Sequence, residues 1–461
     1  MYNINKINEE IKENKEKYIS ILDMINEKCP NGVEYQPLWK VTVWDKKFKS
    51  VDKYKQSKII KYKYYLANEI KELISNDGTI KILTTYKSNL KANEKDVKNT
   101  ISEGEIVCIP WGGNPIVQYY KGKFITSDNR IATSIDRNIL DNKYLYYYLQ
   151  NNIETISSYY RGSAIKHPNM AKVLDIKIPL PPIEIQREIV KILDQFEELE
   201  KELEKELKMR IDQYEYYRDK LLTFDDSVER KKLGDVTNIM RGKRVTKKEI
   251  LKEGLYPVIS GGVNEMGRYN SYNREANTIT ISQYGTAGYV NFQKEKFWAN
   301  DVCYCIYLNE ELNNRYLYFC LKNLQEHFYT IRTKAIPYCL PLIKLEETII
   351  SIPPLEVQQK IADTLDQFDE LCTSLTNGIP AEIEMRKEQY EYYRNLLLNF
   401  KNINENDDLT PLSVKFYESL ETQNRPIKQN SNKKEDEITS FNFSDDVLKG
   451  KNQIKVGLPT K

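Results

Sequence analysis

Histidine is almost missing from this chain, with 2 in 461 residues. So little imidazole leaves hardly any material for histidine-based catalysis or a histidine-built metal site. The 7 cysteines stand at 29, 108, 303, 305, 320, 339 and 372, an odd and scattered set with no Cys-x-x-Cys spacing. That pattern argues for reduced thiols and against disulfides or zinc. No apolar run reaches the ~18 residues of a membrane span, and the opening MYNINKINEEIKENKEKY is charged and polar. Neither a span nor a secretory leader is expected, and a cytoplasmic location is. An excess of charge is missing as well: 69 basic side chains face 67 acidic ones, a formal net of +2. Taken whole, that balance argues against a nucleic-acid partner, an inference that fails if the two signs are segregated along the chain.

What the chain does contain is a repeat. PPIEIQREIVKILDQFEEL, Pro181 to Leu199, is answered by PPLEVQQKIADTLDQFDEL, Pro353 to Leu371, a shift of 172. QYEYYRDKLLTF, Gln213 to Phe224, is answered by QYEYYRNLLLNF, Gln389 to Phe400, a shift of 176, so the second copy holds four more residues between its blocks. Weaker echoes lie upstream: NKYLYYYL from Asn142 against NRYLYFCL from Asn314, and VEYQPLWKV from Val33 against VERKKLGDV from Val228. The chain is two copies of one plan, 33–224 and 228–400, with a short lead and a tail.

The repeated blocks predict helices. Ile185, Ile189, Leu193, Phe196, Leu199, Leu203, Leu207, Ile211, Tyr214, Tyr217 and Leu221 recur every three or four residues as one apolar stripe. Such a helix starts after Pro181-Pro182 and runs about 60 Å at 1.5 Å per residue. Its stripe needs a partner, and the second copy supplies one through Val357, Ile361, Leu365, Phe368, Leu371, Leu375, Ile383, Tyr390, Tyr393 and Leu397. Asn377-Gly378-Ile379-Pro380 is expected to kink or interrupt that second helix. Upstream of each helix, runs such as Ile80–Thr85, Gly104–Pro110, Gln118–Thr126, Asn277–Ser282, Ala287–Phe292 and Asp301–Leu308 read as strands. The expected organisation is a mixed α/β domain with its lead over 1–180, a helix block over 181–224, a second mixed domain over 225–352, a second helix block over 353–400, and a flexible tail over 401–461 in which Leu412–Leu420 could dock as a short helix.

Divided this way, the charge changes meaning. The helix blocks carry −4 and −5, the tail is neutral, and the regions 1–180 and 225–352 carry +8 and +3. Basic domains alternate with acidic helices.

Catalytic signatures are absent. There is no phosphate-binding Gly-x-x-x-x-Gly-Lys-Ser/Thr loop, no Gly-x-Gly-x-x-Gly after a strand and no Gly-x-Ser-x-Gly turn. The Asn/Asp-Pro-Pro-aromatic string of adenine methyltransferases is also missing, the nearest being Asn114-Pro115-Ile116. No catalytic residue, metal or cofactor is expected. DNA binding suits the basic domains better, because readers of DNA need cations for phosphates and polar side chains for base edges. The candidates are Trp111, Asn114, Arg161 and Lys166 in the first domain and Arg241, Lys243, Arg244, Gln283, Tyr284, Arg332 and Lys334 in the second. The run Arg161–His167 is taken as the counterpart of Arg332–Tyr338. For any one of these segments the bland alternative is a solvated loop, and either histidine alone reads as a surface or packing residue. On the helices, Tyr214, Tyr217, Tyr390 and Tyr393 read as packing, which leaves Tyr216, Tyr392, Arg218 and Arg394 as candidates to bind a partner protein.

Two variable globular regions alternating with two similar helices, each carrying LDQF and QYEYYR, resemble the specificity subunit of type I restriction–modification systems. Ile352-Pro353-Pro354-Leu355-Glu356-Val357-Gln358, Gly378-Ile379-Pro380-Ala381-Glu382-Ile383 and Cys29-Pro30-Asn31-Gly32-Val33-Glu34 add to the likeness. The first helix departs from it, having Glu204-Lys205-Glu206-Leu207-Lys208 where the second has Gly-Ile-Pro-Ala-Glu-Ile. The resemblance implies an α+β chain with two target recognition domains separated by two long antiparallel helices in a coiled coil, a pseudo-two-fold repeat. Each domain would read half of a bipartite site in double-stranded DNA, with the helices fixing the separation. DNA adenine methyltransferase (modification) subunits would carry S-adenosylmethionine, and restriction/translocase subunits would carry ATP and magnesium. The alternatives are a specificity-like protein without working partners and a coiled-coil scaffold whose globular ends bind protein.

Overall fold

Each copy begins with the same short passage of chain. In the first, strand Tyr35–Pro37 runs into helix Leu38–Val41 and strand Thr42–Trp44; in the second, Arg230–Lys232, Leu233–Val236 and Thr237–Arg241 follow the same order. Leu38 and Leu233 are both fully buried. Each opening strand pairs antiparallel with the strand just before the long helix, Lys177–Pro179 or Ile349–Ser351. The computed structural model describes residues 20–404 other than 98, 335 and 375–377. The expectations for the lead before residue 20 and for the tail beyond 404, including a helix at Leu412–Leu420, lie outside the described residues. So do those for Leu375 and Asn377.

The described chain forms two units. One takes 20–202 with 383–404, the other 203–382. Each helix block is divided between the units, the first after Glu202 and the second after Glu382. The first unit holds a six-stranded sheet in the order Thr42–Trp44, Asn129–Ser134, Ser102–Pro110, Gln118–Thr126, Ile80–Leu83, Lys91–Ala92. The second holds a four-stranded sheet in the order Thr237–Arg241, Cys303–Leu308, Thr278–Ser282, Val290–Gln293. These four correspond to the first four of the other sheet, and the register agrees: Pro110 faces Asn129 as Ser282 faces Cys303. The second unit adds a separate sheet of Arg268–Tyr269, Tyr256–Ile259 and Trp298–Ala299.

The repeated motifs tie each sheet to its helix. Gln186 in PPIEIQ is buried; its side-chain oxygen accepts from the Asp141 N–H at 2.9 Å and its amide donates to Ile139 and Pro181 carbonyls, both at 2.8 Å. Gln358 in PPLEVQ does the same with Asn313, Glu311 and Pro353, at 2.8, 3.0 and 2.8 Å. Asp141 and Asn313 in turn cap the Tyr-rich helices Asn142–Asn151 and Asn314–Asn323. The aspartates of LDQF reach those same helices, Asp194 to Lys143 at 2.7 Å and Asp366 to Arg315.

The phenylalanine of each LDQF receives the tyrosines of the other copy's QYEYYR. In the first unit Phe196 lies 5.9 Å from Tyr390 and 5.7 Å from Tyr393, and Glu200 meets Lys387 at 3.5 Å, so the two helix segments are antiparallel. In the second unit Phe368 lies 6.4 Å from Tyr214 and 5.8 Å from Tyr217. The first long helix is continuous over Ile183–Leu221, whereas the second is broken into Leu355–Thr373 and Ile379–Leu398. A side chain at Gly378 would collide with the carbonyls of Glu370, Leu371 and Ser374, at 2.6 to 2.8 Å. One stripe position differs from expectation: Ile211 is 38% exposed and Arg210 half-buried. At about 100° per residue Ile211 sits about 80° from the Leu203–Leu221 line and Arg210 within about 20° of it.

Candidate nucleic-acid interface

In the first unit the basic surface grows from a buried charge. Arg130, on strand Asn129–Ser134, has a side chain only 3% exposed. It is held by Asp128 at 2.7 Å and the Asn129 carbonyl at 2.7 Å, with the Asp45 carboxylate at 3.6 Å. Asp45 accepts from the Ile131 N–H at 3.1 Å, yet burial outweighs Arg130 and raises its carboxyl to about 6. The guanidinium lies 4.3 Å from the Trp111 ring and 5.7 Å from Tyr64, and Lys46 stands 4.9 Å over Tyr64.

Trp111 opens the turn after strand Ser102–Pro110 and is half-buried. Its ring meets His167 at 5.2 Å, its carbonyl binds His167 Nδ1 at 2.8 Å, and the Gly113 N–H donates to the Lys166 carbonyl at 3.1 Å. The structure thus brings the 111–114 turn and the 161–167 loop together. Asn114, Arg161 and Lys166 are exposed there.

The second unit assembles the same place differently. Arg241, Lys243 and Arg244 are exposed just after or at the end of the strand corresponding to Thr42–Trp44. The Arg241 guanidinium is 5.7 Å from the Tyr304 ring, and its carbonyl accepts from Arg274 at 2.6 Å. The Lys243 carbonyl accepts from Trp298 at 2.7 Å. Tyr284 is partly exposed and forms a bridge with Cys339, and the Thr286 N–H donates to the Gly261 carbonyl at 2.7 Å. Arg332 is half-buried, 4.3 Å from the Tyr338 ring and 5.0 Å from Tyr329, whereas Lys334 is exposed.

Three expectations change. Gln283 is buried, its N–H given to Val302 and its carbonyl taken by Leu340, so its side chain does not face the loops. The loop correspondence shifts by one: Arg161 pairs with His167 as Thr333 pairs with Cys339, so Thr333 and not Arg332 answers Arg161. The following helices, Met170–Leu174 and Leu342–Glu346, keep the shift of 172. On the partner side, Tyr216 is 61% exposed, but Tyr392 is half-buried against the first unit's core. Arg394 is committed to Asn151 at 2.9 Å and lies 5.1 Å from the Tyr390 ring; Arg218 is with Asp219 at 2.9 Å.

Lys46, Lys47 and Lys49 were missed by motif reading. They occupy the positions of Arg241, Gly242 and Arg244, because strand pairing sets Trp44 opposite Ala132 and Ile239 opposite Ile306. Extending the Val33–Val228 alignment past Val41 would have found them. Lys46 is half-buried and Lys47 and Lys49 are exposed, so each domain carries a cationic run at the exit of its first sheet strand.

The family described as the type I restriction modification DNA specificity domain matches the chain twice, over residues 46–213 and 225–385. A protein of Haemophilus influenzae described as a type I restriction enzyme specificity subunit is 34% identical over 339 residues, 66% of this chain and 85% of that one. The EcoR124I/EcoR124II specificity subunit of Escherichia coli is 32% identical over 308 residues, 60% of this chain and 75% of its own. Among solved structures, the type I restriction–modification S subunit from M. genitalium superposes with a TM-score of 0.57 at 19% identity, covering 80% of this chain and 96% of that one. That last likeness concerns the fold.

Proposed function

The chain belongs to the type I restriction–modification DNA specificity family, and from that premise we propose that it reads a bipartite site in double-stranded DNA, one half through each recognition domain. The observation that carries this reading is the doubling: family match, four-stranded frame and cationic loop cluster all occur twice. Cations at the strand exit would hold phosphates, and the turns beside them would approach base edges.

In this reading the chain supplies specificity and assembly, not chemistry. Modification subunits bring S-adenosylmethionine and methylate adenine; restriction subunits bring ATP, magnesium, translocation and cleavage. Tyr216, which is 61% exposed, is the better candidate for a partner than Tyr392, which is half-buried in the first unit; Arg218 and Arg394 are both half-buried and engaged within their own units. No helix of the described residues is long and apolar enough to cross a membrane, which agrees with work on DNA in the cytoplasm.

The test is a map of methylated adenines across a genome carrying this chain and its modification subunit. One motif of two short half-sites with a fixed spacer is expected, vanishing when the chain is deleted, with binding that weakens steeply with salt. A purified complex without sequence preference on random duplexes would overturn the reading.

A further inference from the structure

We propose that His167 is a base-contacting residue of the first recognition domain, presenting imidazole Nε2 to DNA as a hydrogen-bond acceptor. This deepens the DNA reading above and rests on it. The argument starts from the 2.8 Å contact between His167 Nδ1 and the Trp111 carbonyl. A carbonyl only accepts, so Nδ1 carries the proton, and in the neutral ring the lone pair is left on Nε2. Nε2 has no hydrogen-bond partner among the described residues, and the side chain is exposed.

The ring is also clamped. It packs 5.2 Å from Trp111, which itself lies 4.3 Å from the guanidinium of buried Arg130. Gly112 lets it approach: a Cβ there would come within 2.9 Å of Ile165 Cγ2 and 3.3 Å of His167 Cε1. A side chain locked by packing and a second hydrogen bond loses little entropy on binding, which a specificity contact requires. Exposed Arg161, directly across the two-residue ladder, and adjacent Lys166 provide cations for the phosphates that would flank it. In the major groove the exocyclic amino groups of adenine and cytosine are donors, so an acceptor at this place selects A or C. The second domain has Cys339 at the same position, bonded through its backbone to Thr333. The contact therefore belongs to one half-site only.

The experiment compares methylation maps for the full chain with its modification subunit and for three variants. In His167→Asn the amide still donates to the Trp111 carbonyl, but nothing replaces Nε2. One A or C position of the first half-site should become tolerant, with discrimination falling roughly 10- to 100-fold. The other positions and the whole second half-site should stay as they were. His167→Gln, whose amide reaches the place of Nε2, should keep the requirement within roughly 10-fold. Gly112→Ala, whose Cβ would crowd Ile165 and stand 3.3 Å from His167 Cε1, should relax the same position more weakly while leaving His167 in place. An unchanged motif in His167→Asn overturns the proposal, as does a uniform weakening of the first half-site without altered preference. A wild-type chain with no bipartite motif overturns the specificity reading itself.

Discussion

The two recognition domains share a four-stranded frame and the helices packed on it, and differ in what is inserted between the frame strands. Between the first frame strand and the end of the next, the first domain spends 23 more residues than the second, the shift falling from 195 to 172. It uses them to extend its sheet, laying Ile80–Leu83 parallel to Gln118–Thr126 and adding Lys91–Ala92. The second domain leaves its sheet at four strands and builds a small separate one over Phe297, Ala299, Cys303 and Cys305. At the loops, a Trp111–His167 pair over buried Arg130 is replaced by Tyr284 beside Cys339 and Arg332 against Tyr338. The difference teaches that the frame fixes where the loops stand, while the insertions and the loop side chains vary upon it.

The strongest test of that division is exchange. Replacing residues 228–352 with another recognition domain should change the second half-site entirely and leave the first untouched in a methylation map; a change in both would end the idea of independent readers. Next comes the shared helix contact. Phe196→Ala and Phe368→Ala should each cost about 3–5 kcal/mol in denaturant unfolding, and a negligible loss at either would break the equivalence of the copies. Gln186→Leu and Gln358→Leu should each cost about 2–3 kcal/mol, because buried groups at Asp141 or Asn313 lose their partner.

The smallest effect sharpens the contrast. The second domain has Met240 where the first has Asp45. Burial raises the folded Asp45 carboxyl to about 6, against an ordinary unfolded value near 3.9. Its favourable contribution to folding is thus full below the unfolded value and is lost as pH rises through about 6. Asp45→Asn should gain on the natural chain by about 2 kcal/mol between pH 4 and 7.5. Paired thermal unfolding curves at the two pH values will show it, and a Met240→Leu variant should show no such trend.

Much of the frame was legible from the chain, for a physical reason. LDQF, PPxExQ and QYEYYR recur because each must meet the same buried partner twice, so packing writes itself as repetition. The strand run Asn277–Ser282 was visible because Thr278, Ile279, Thr280 and Ile281 are β-branched in a strand buried on both faces. The insertions were not, since nothing local tells whether a strand joins the main sheet or starts another. Gln283 looked polar and therefore reachable, but the strand end turns it inward. Arg130 and Asp45 were invisible because their meaning lies in a pairing across 85 positions of sequence. His167 was discounted as a lone histidine, and only the carbonyl of Trp111 gives its two nitrogens different roles.

One consequence concerns synthesis. The core of the first unit includes Tyr390, Tyr393, Leu396, Leu397, Leu398 and Phe400. The second unit needs only 203–382 among the described residues, an unbroken length of chain. At roughly 5–20 residues per second, the ribosome delivers Leu398 on the order of 10–40 s after Glu202. The domain translated first is therefore the one completed last, and until then Phe196 waits without its tyrosines. Truncated translation products would hold a finished second unit beside an open first one, a state in which the nascent chain most needs a chaperone.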